Sequence, residues 1–155
     1  MIQKLTSIIW PATYGSILTR AQIDYMIEMM YSDSSLRRQM EELHHEFIIC
    51  YDGEEPVAFA SYSHMGEGIF KLHKIYVLPE CQGKGIGRYM VDAILREVAS
   101  QGGVALDLNV NRSNPARFFY EKLGFVILRE EDIDIGGGYW MNDYVMRKRL
   151  DSSIP

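Results

Sequence analysis

Gly83, Gly85 and Gly87 stand at alternate positions, with Lys84 and Arg88 among them, directly after an apolar run and directly before a helix-period pattern. Glycine admits positive φ and lets backbone approach a ligand closely. The first N–H groups of a helix have no internal partner and carry the positive end of its dipole. The chemistry this arrangement offers is phosphate or pyrophosphate binding, with Lys84 and Arg88 adding positive charge. A single glycine here would read as a tight turn; three with two cations favour a phosphate. The P-loop pattern G-x-x-x-x-G-K-[ST] is absent. A dinucleotide fingerprint would need a third glycine where Arg88 stands. Asp107 does lie about 20 residues on, as that fingerprint asks, but it falls in the middle of a strand pattern.

The surrounding elements must position this turn. Ile2 to Ser7 is expected as a short first strand, and Trp10 to Tyr14 as a short helix or turn with Pro11 in its first turn. Thr19 and Gln22 read as a capping box opening a helix, whose apolar positions Ile23, Met26, Ile27 and Met30 recur at helical spacing. A third helix is expected from about Ser35 to Leu43. Phe47–Tyr51, Val57–His64 and Phe70–Leu78 follow as three strands joined by the Asp52-Gly53 and Gly66-Glu67-Gly68 turns, an antiparallel meander. Gly85–Ser100 is the central helix, stopped by Gly102 and Gly103. Val104–Val110 alternates as a strand. Asn114-Pro115 opens a helix that ends at Gly124. Phe125–Arg129 is a strand, Glu130–Gly138 an acidic loop and Tyr139–Leu150 the last strand. The order is helices, then βββαβαββ. That is an α/β (α+β) fold with one mixed sheet and helices packed on it.

The 155 residues fit one domain over 1–150, with 151–155 as a fraying tail. Hydrophobic residues make up 47% and charged residues 24%, an ordinary globular balance. A net charge of −5 argues against a nucleic-acid partner and is compatible with a cationic small substrate. Cys50 and Cys81 form no metal spacing and read as free thiols in a reducing compartment, so no metal is expected. Neither a secretory leader pattern nor a membrane-length apolar run occurs, and a cytoplasmic location is expected. Monomer and homodimer both stay open.

Gln82-x-x-Gly85-x-Gly87 resembles the Q/R-x-x-G-x-G/A pyrophosphate loop of the GCN5-related N-acetyltransferases (GNAT). Asn109-Val-Asn-Arg-Ser-Asn-Pro-Ala-Arg-Phe-Phe-Tyr-Glu-Lys-Leu-Gly-Phe125 resembles the family's second signature. Asn111 and Asn114 are its candidate asparagines, Ala116 its small residue, and Phe119-Tyr120-x-Lys122-x-Gly124-Phe125 its close. A helix and a strand separate the two signatures, as in the family. The first helices and Asp134–Met146 are similar to the PaiA-like branch, which is associated with polyamine N-acetylation. The resemblance implies a twisted mixed sheet with antiparallel N-terminal strands, helices on both faces and splayed strands holding acetyl-coenzyme A.

It also implies roles. Gln82, Gly83, Lys84, Gly85, Ile86, Gly87 and Arg88 would hold the pyrophosphate, and Asn114, Ala116, Phe119 and Lys122 would complete the cofactor site. Ile75, Tyr76 and Val77 would pair with the pantetheine arm like an added strand. The Val77 N–H would polarise the thioester carbonyl. Tyr120 matches the family's acid, a phenol that stays protonated at neutral pH and can donate to the leaving thiolate. Many relatives carry a glutamate base on the strand before the loop, and none stands there. His73 is the substitute, with Glu67 or a water chain as alternatives. Trp10, Tyr14, Tyr25, Tyr31 and Tyr139 are candidates for an aromatic acceptor pocket that would hold a cation, with Met29 more at home in the core. The expected activity is direct acetyl transfer to a primary amine of a small molecule, possibly a polyamine. A non-catalytic acyl-coenzyme A sensor and a nicotinamide-dependent oxidoreductase are the rival readings.

Overall fold

A computed structural model describes residues 1–150; the expected tail, 151–155, lies outside the described residues. The elements run α1 (Ile2–Tyr14), α2 (Arg20–Tyr31), α3 (Asp33–Glu41), β1 (Glu46–Asp52), β2 (Glu55–Gly66), β3 (Ile69–Val77), a 3-10 turn at Pro79–Cys81, α4 (Ile86–Ser100), β4 (Ala105–Asn111), α5 (Ala116–Lys122), β5 (Val126–Gly136) and β6 (Tyr139–Arg149). The strands order as β1-β2-β3-β4-β6-β5 in a six-stranded mixed sheet. β3 pairs with β4 in parallel, while β1–β2, β4–β6 and β5–β6 are antiparallel. This is the mixed α/β architecture expected from the element order.

By internal contacts the chain forms two compact units. The first holds Met1–Ser63 and His73–Asp92. Its core includes Leu5, Ile9, Trp10, Ile23, Met26, Tyr31, Phe59 and Met90, all nearly inaccessible. Burying each large side chain stabilises by roughly 1.5–3 kcal/mol. Here the expected first strand is instead the start of a 13-residue helix that carries Pro11 in its interior. Leu5, Thr6, Ile9 and Trp10 are its buried positions, a spacing of four that places them on one helical face. The Thr6 hydroxyl donates to the Ile2 carbonyl one turn back. Gln3 Nε2 donates to the Tyr31 carbonyl and to Asp33 Oδ1, tying α1 to the junction of α2 and α3.

Thr19 caps α2 as expected, its hydroxyl accepting from the Gln22 N–H at 3.1 Å. Ser32 both ends α2 and caps α3, accepting from the Ser35 N–H, so a single residue separates the two helices and α3 begins ahead of the expected Ser35. The chain then leaves α3 through His44, whose φ of +57° turns it, and the His45 N–H closes the end by donating to the Gln39 carbonyl at 2.8 Å.

The second unit holds His64–Leu72 and the described part of Ala93–Pro155. Phe70, Leu72, Ile94, Val98, Leu106, Leu108, Phe125 and Met146 fill its core. The expected acidic loop is mostly strand: β5 continues through Glu130–Ile135, with Ile133 opposite Met141 and Asp134 opposite Trp140. Gly136, Gly137 and Gly138 all take positive φ, which makes the tight connection that lets the two arms pair. Arg112 binds Glu130 and Asp132, so part of the acidic run is neutralised from β4's end. No helix among the described residues is long and apolar enough to cross a membrane.

Candidate active site

β3 leads into the glycine turn. The Leu78 N–H donates to the Val57 carbonyl, and the Pro79–Cys81 turn follows at once. Gly83 and Gly85 each take φ +80°, a conformation side chains rarely adopt. A Cβ at either position would meet nothing within 4 Å, so space lies open over both. Gln82, Gly83, Lys84 and Gly85 are exposed. The Gly85 carbonyl accepts from Tyr89, which starts α4 immediately after the turn. The amides of Ile86, Gly87 and Arg88 therefore occupy the first helical positions, where no intrahelical acceptor exists. Open room, exposed glycine backbone and a 15-residue helix behind it fit a diphosphate. Gln82 Nε2 reaches back to the Val77 carbonyl at 3.3 Å, linking the turn to the end of β3. Arg88 is exposed, with Asp92 at 4.0 Å as a weak partner.

Upstream on β3 the side chains diverge. Ile75 and Val77 are half-buried. The Tyr76 hydroxyl lies 3.0 Å from that of Tyr14 at the end of α1, and its ring contacts Trp10 and Phe59. Tyr14 and Tyr76 are half-buried, whereas Trp10 and Tyr31 are each only 2% exposed. Trp10 and Tyr31 thus pack inside the first unit, while Tyr14, Tyr25 and Tyr139 keep surface. Tyr139 belongs to the second unit, at the start of β6. Met29, expected in the core, is exposed. The buried Trp10 Nε1 and Tyr31 Oη reach no partner at hydrogen-bond geometry among the described residues. Burial pushes the Tyr31 phenol well up, and the neighbouring Trp10 N–H opposes this.

His73 is half-buried, and its Nε2 lies 2.7 Å from Ser63 Oγ of β2. Its ring stacks on His45 with centroids 3.8 Å apart and planes 11° from parallel. Next along the strand, Lys74 is buried with an exposure of 8%. Its ammonium donates to Gln39 Oε1 at 2.5 Å and sits over the rings of Tyr31 and Phe47. Burial lowers its pKa to about 8. Glu67, the alternative base, is exposed in the turn that opens β3, at the opposite end of the strand from Val77. That position argues against it.

In the second unit the signature asparagines shape backbone. Asn111 Oδ1 accepts from the Ser113 N–H, and Asn114 Oδ1 accepts from the Ala116 N–H, both at 2.9 Å. Asn114 thus turns the chain just ahead of α5, whose capping position is Pro115 rather than the expected Asn114. Ala116 and Phe119 are half-buried and Lys122 is exposed. Tyr120 is 8% exposed, edge-on to Phe119 and Phe125. Asp107, the acid a dinucleotide site would need, is held by Arg147 through two bonds of 2.7 and 3.0 Å. That ion pair removes the support for a dinucleotide. Asp143 is 2% exposed and accepts from Asn109 Nδ2; burial raises its pKa, and that bond opposes the shift.

The spatial partners Ser63, His45 and Gln39 were absent from the sequence reading. Their positions relative to His73 and Lys74 depend on strand pairing and on the exit from α3, and no local spacing reports either.

A mixed sheet whose third strand runs into an open glycine turn at a helix N-terminus defines an α/β domain that takes a phosphate-bearing ligand. The chain belongs to the acetyltransferase (GNAT) domain family, whose sequence model matches residues 17–147. It is similar to the ribosomal protein bS18-alanine N-acetyltransferase of Haemophilus influenzae, 36% identical over 69 residues, which are 44% of this chain and 44% of that protein. Similarity to the N-alpha-acetyltransferase RimI of Mycobacterium tuberculosis is 28% over 159 residues, covering 94% of this chain and 96% of that one. Against three of the curated relatives, the match spans less than half of their length. In fold it is similar to the PaiA N-acetyltransferase of Thermoplasma acidophilum, solved with coenzyme A, at a TM-score of 0.79 and 24% identity, covering 96% of this chain and 91% of that chain.

Proposed function

We propose that this chain is an acetyl-coenzyme A-dependent N-acetyltransferase acting on a primary amine of a small molecule, with polyamines as the leading class. The observation that carries the reading is the open, positive-φ turn at Gly83 and Gly85 directly ahead of α4. Amides of Gln82 to Gly87 would take the pyrophosphate, and Ile75 to Val77 would bind the amide-rich arm. The Val77 N–H would stabilise charge growing on the thioester oxygen. His73 would take a proton from the incoming ammonium, which has a reference pKa of about 10.4 and is unreactive while charged. The neutral amine then attacks the carbonyl, the N–C bond forms and the C–S bond breaks. Tyr120 would protonate the thiolate and recover a proton from the new amide nitrogen. The acceptor class is supported by the aromatic groups near the end of α1 and by the net charge of −5.

Thiol release from acetyl-coenzyme A, followed with spermidine, free amino acids, an aminoglycoside and an alanine-starting peptide, tests the proposal. Turnover highest with spermidine supports it. Turnover only with the peptide would move the substrate to protein N-termini. Binding of acetyl-coenzyme A with turnover on none of them would favour a sensor module and overturn the enzymatic reading.

A further inference from the structure

We infer that Asp143 is the residue that receives a positively charged nitrogen of the acceptor. The inference deepens the proposed acetyl transfer and rests on the acceptor being an amine. Asp143 lies on β6 and is 2% exposed, the only buried carboxylate among the described residues. Taking a carboxylate out of water is costly unless it is paired and hydrogen-bonded. Asp107 on β4 meets that condition, because Arg147 grips it with two bonds. Asp143 does not. Its Oδ2 accepts one bond, at 3.2 Å, from the neutral Asn109 amide. Among the described residues its Oδ1 meets no donor, and no lysine or arginine comes within ion-pair distance of it.

The charged groups around Asp143 leave that gap open. Lys71 of β3 and Arg112 after β4 act on it only through space, and Arg112 is occupied by Glu130 and Asp132. Glu131, its Cα partner on β5, adds like charge and is itself held by Arg129. Burial holds the Asp143 carboxyl above its ordinary range and Glu131 adds to this, while Asn109, Lys71 and Arg112 oppose it. The place in the sheet shows where a cation can arrive. β4 pairs with β3 only as far as Leu72–Leu108, but stays paired with β6 as far as Asn111–Asp143. Asn109 is therefore the first β4 residue past the end of the parallel ladder. Asn109 and Asn111 share the sheet face of Asp143, since Asn111 is its direct partner and Asn109 stands two residues before. All three belong to the second unit. An ammonium brings three donors and a charge. Asp143 Oδ1 offers it the charged acceptor and the Asn109 amide oxygen a neutral one.

Asp143→Asn removes the charge while keeping the side chain's shape and an oxygen for the Asn109 amide. Calorimetry on the full chain loaded with coenzyme A measures amine binding, with spermidine and an alanine-starting peptide as the probes. For a probe that wild type binds, the variant should lose about 10- to 100-fold in affinity, the range of a hydrogen bond to a charged group, with affinity for acetyl-coenzyme A unchanged. Equal amine affinity in the two proteins overturns the inference, and so does a wild type that binds neither probe. The measurement needs no turnover. Amine binding that the variant weakens, in a chain that releases no thiol, would overturn the enzymatic reading and still support Asp143 as the amine site. A second measurement needs no variant. The carboxyl carbon NMR resonance of Asp143 in the wild-type chain should shift when a bound probe is added to the coenzyme A-loaded protein, and an unmoved resonance overturns the assignment.

Discussion

Lys74 carries an electrostatic cost legible in the structure, and Lys74→Met exposes it. In the folded chain its pKa is lowered from 10.5 to about 8, and burial is the cause. Between those values the unfolded chain holds a proton on this lysine that the folded chain does not. Stability therefore rises with pH across that window and gains nothing further above it. Below pH 8 the full cost is present, about 3 kcal/mol for a shift of that size. Methionine has similar length, carries no charge and packs well against the rings of Tyr31 and Phe47. It also leaves Gln39 Oε1 without the donor at 2.5 Å, which costs about 1–3 kcal/mol. At pH 7 the variant is thus expected to be slightly more stable than wild type.

The decisive quantity is how that difference changes. Urea unfolding at half-unit steps from pH 7 to 10.5 should show wild type gaining about 3 kcal/mol relative to Lys74→Met. Subtracting the two curves removes every titration they share. Parallel curves would refute the argument, because they would mean that Lys74 binds its proton equally in both states.

Gly85→Asp forces a side chain into a left-handed position and sets a carboxylate where a pyrophosphate is expected, so acetyl-coenzyme A affinity by calorimetry should fall on the order of 100-fold. Unchanged affinity would detach the glycine turn from the cofactor. Tyr120→Phe keeps the edge-on packing with Phe119 and Phe125 while removing the acid, so kcat should drop about 100-fold with KM for acetyl-coenzyme A steady; an equal kcat would leave Tyr120 a packing residue. Thr19→Ala removes the acceptor for the Gln22 N–H and should cost about 1 kcal/mol, read as a loss of about 2–4 °C in Tm.

What was legible in the chain was whatever its chemistry settles locally. The Thr19 cap and the strand toward Gly83 rest on residues a few positions apart and formed as expected, and the helix after Asn114-Pro115 formed one residue later than expected. Two expectations failed, one for want of length and one for want of a distant partner. Ile2 to Ser7 alone is too short to display a helical period, and the helix that continues through Pro11 gathers Leu5 and Ile9 onto one face. The acidic run after Arg129 looked like solvated loop, yet β6 offers it a continuous ladder and Arg112 offsets charge on Glu130 and Asp132. Within the site, the glycine turn could be found from spacing alone. His73 could be named only as a lone histidine, because Ser63 and His45 lie 10 and 28 positions away in the chain.

The cost at Lys74 and the proposed role of His73 are connected. The ammonium that burial disfavours is next along β3 to the imidazole that the proposed reaction needs neutral. Replacing Lys74 with methionine removes a charge that opposes protonation of His73. The same variant that gains stability near pH 7 should then lose activity toward acid pH, its kcat/KM limb moving upward by a few tenths of a pH unit. A strand built only for stability would have an apolar residue at 74, since an isosteric replacement of a buried charge is often neutral or stabilising. Retaining the lysine makes physical sense if its charge acts on its neighbour. A Lys74→Met enzyme both more stable and unaltered in pH–rate profile would break that connection and leave the buried ammonium to packing and to Gln39.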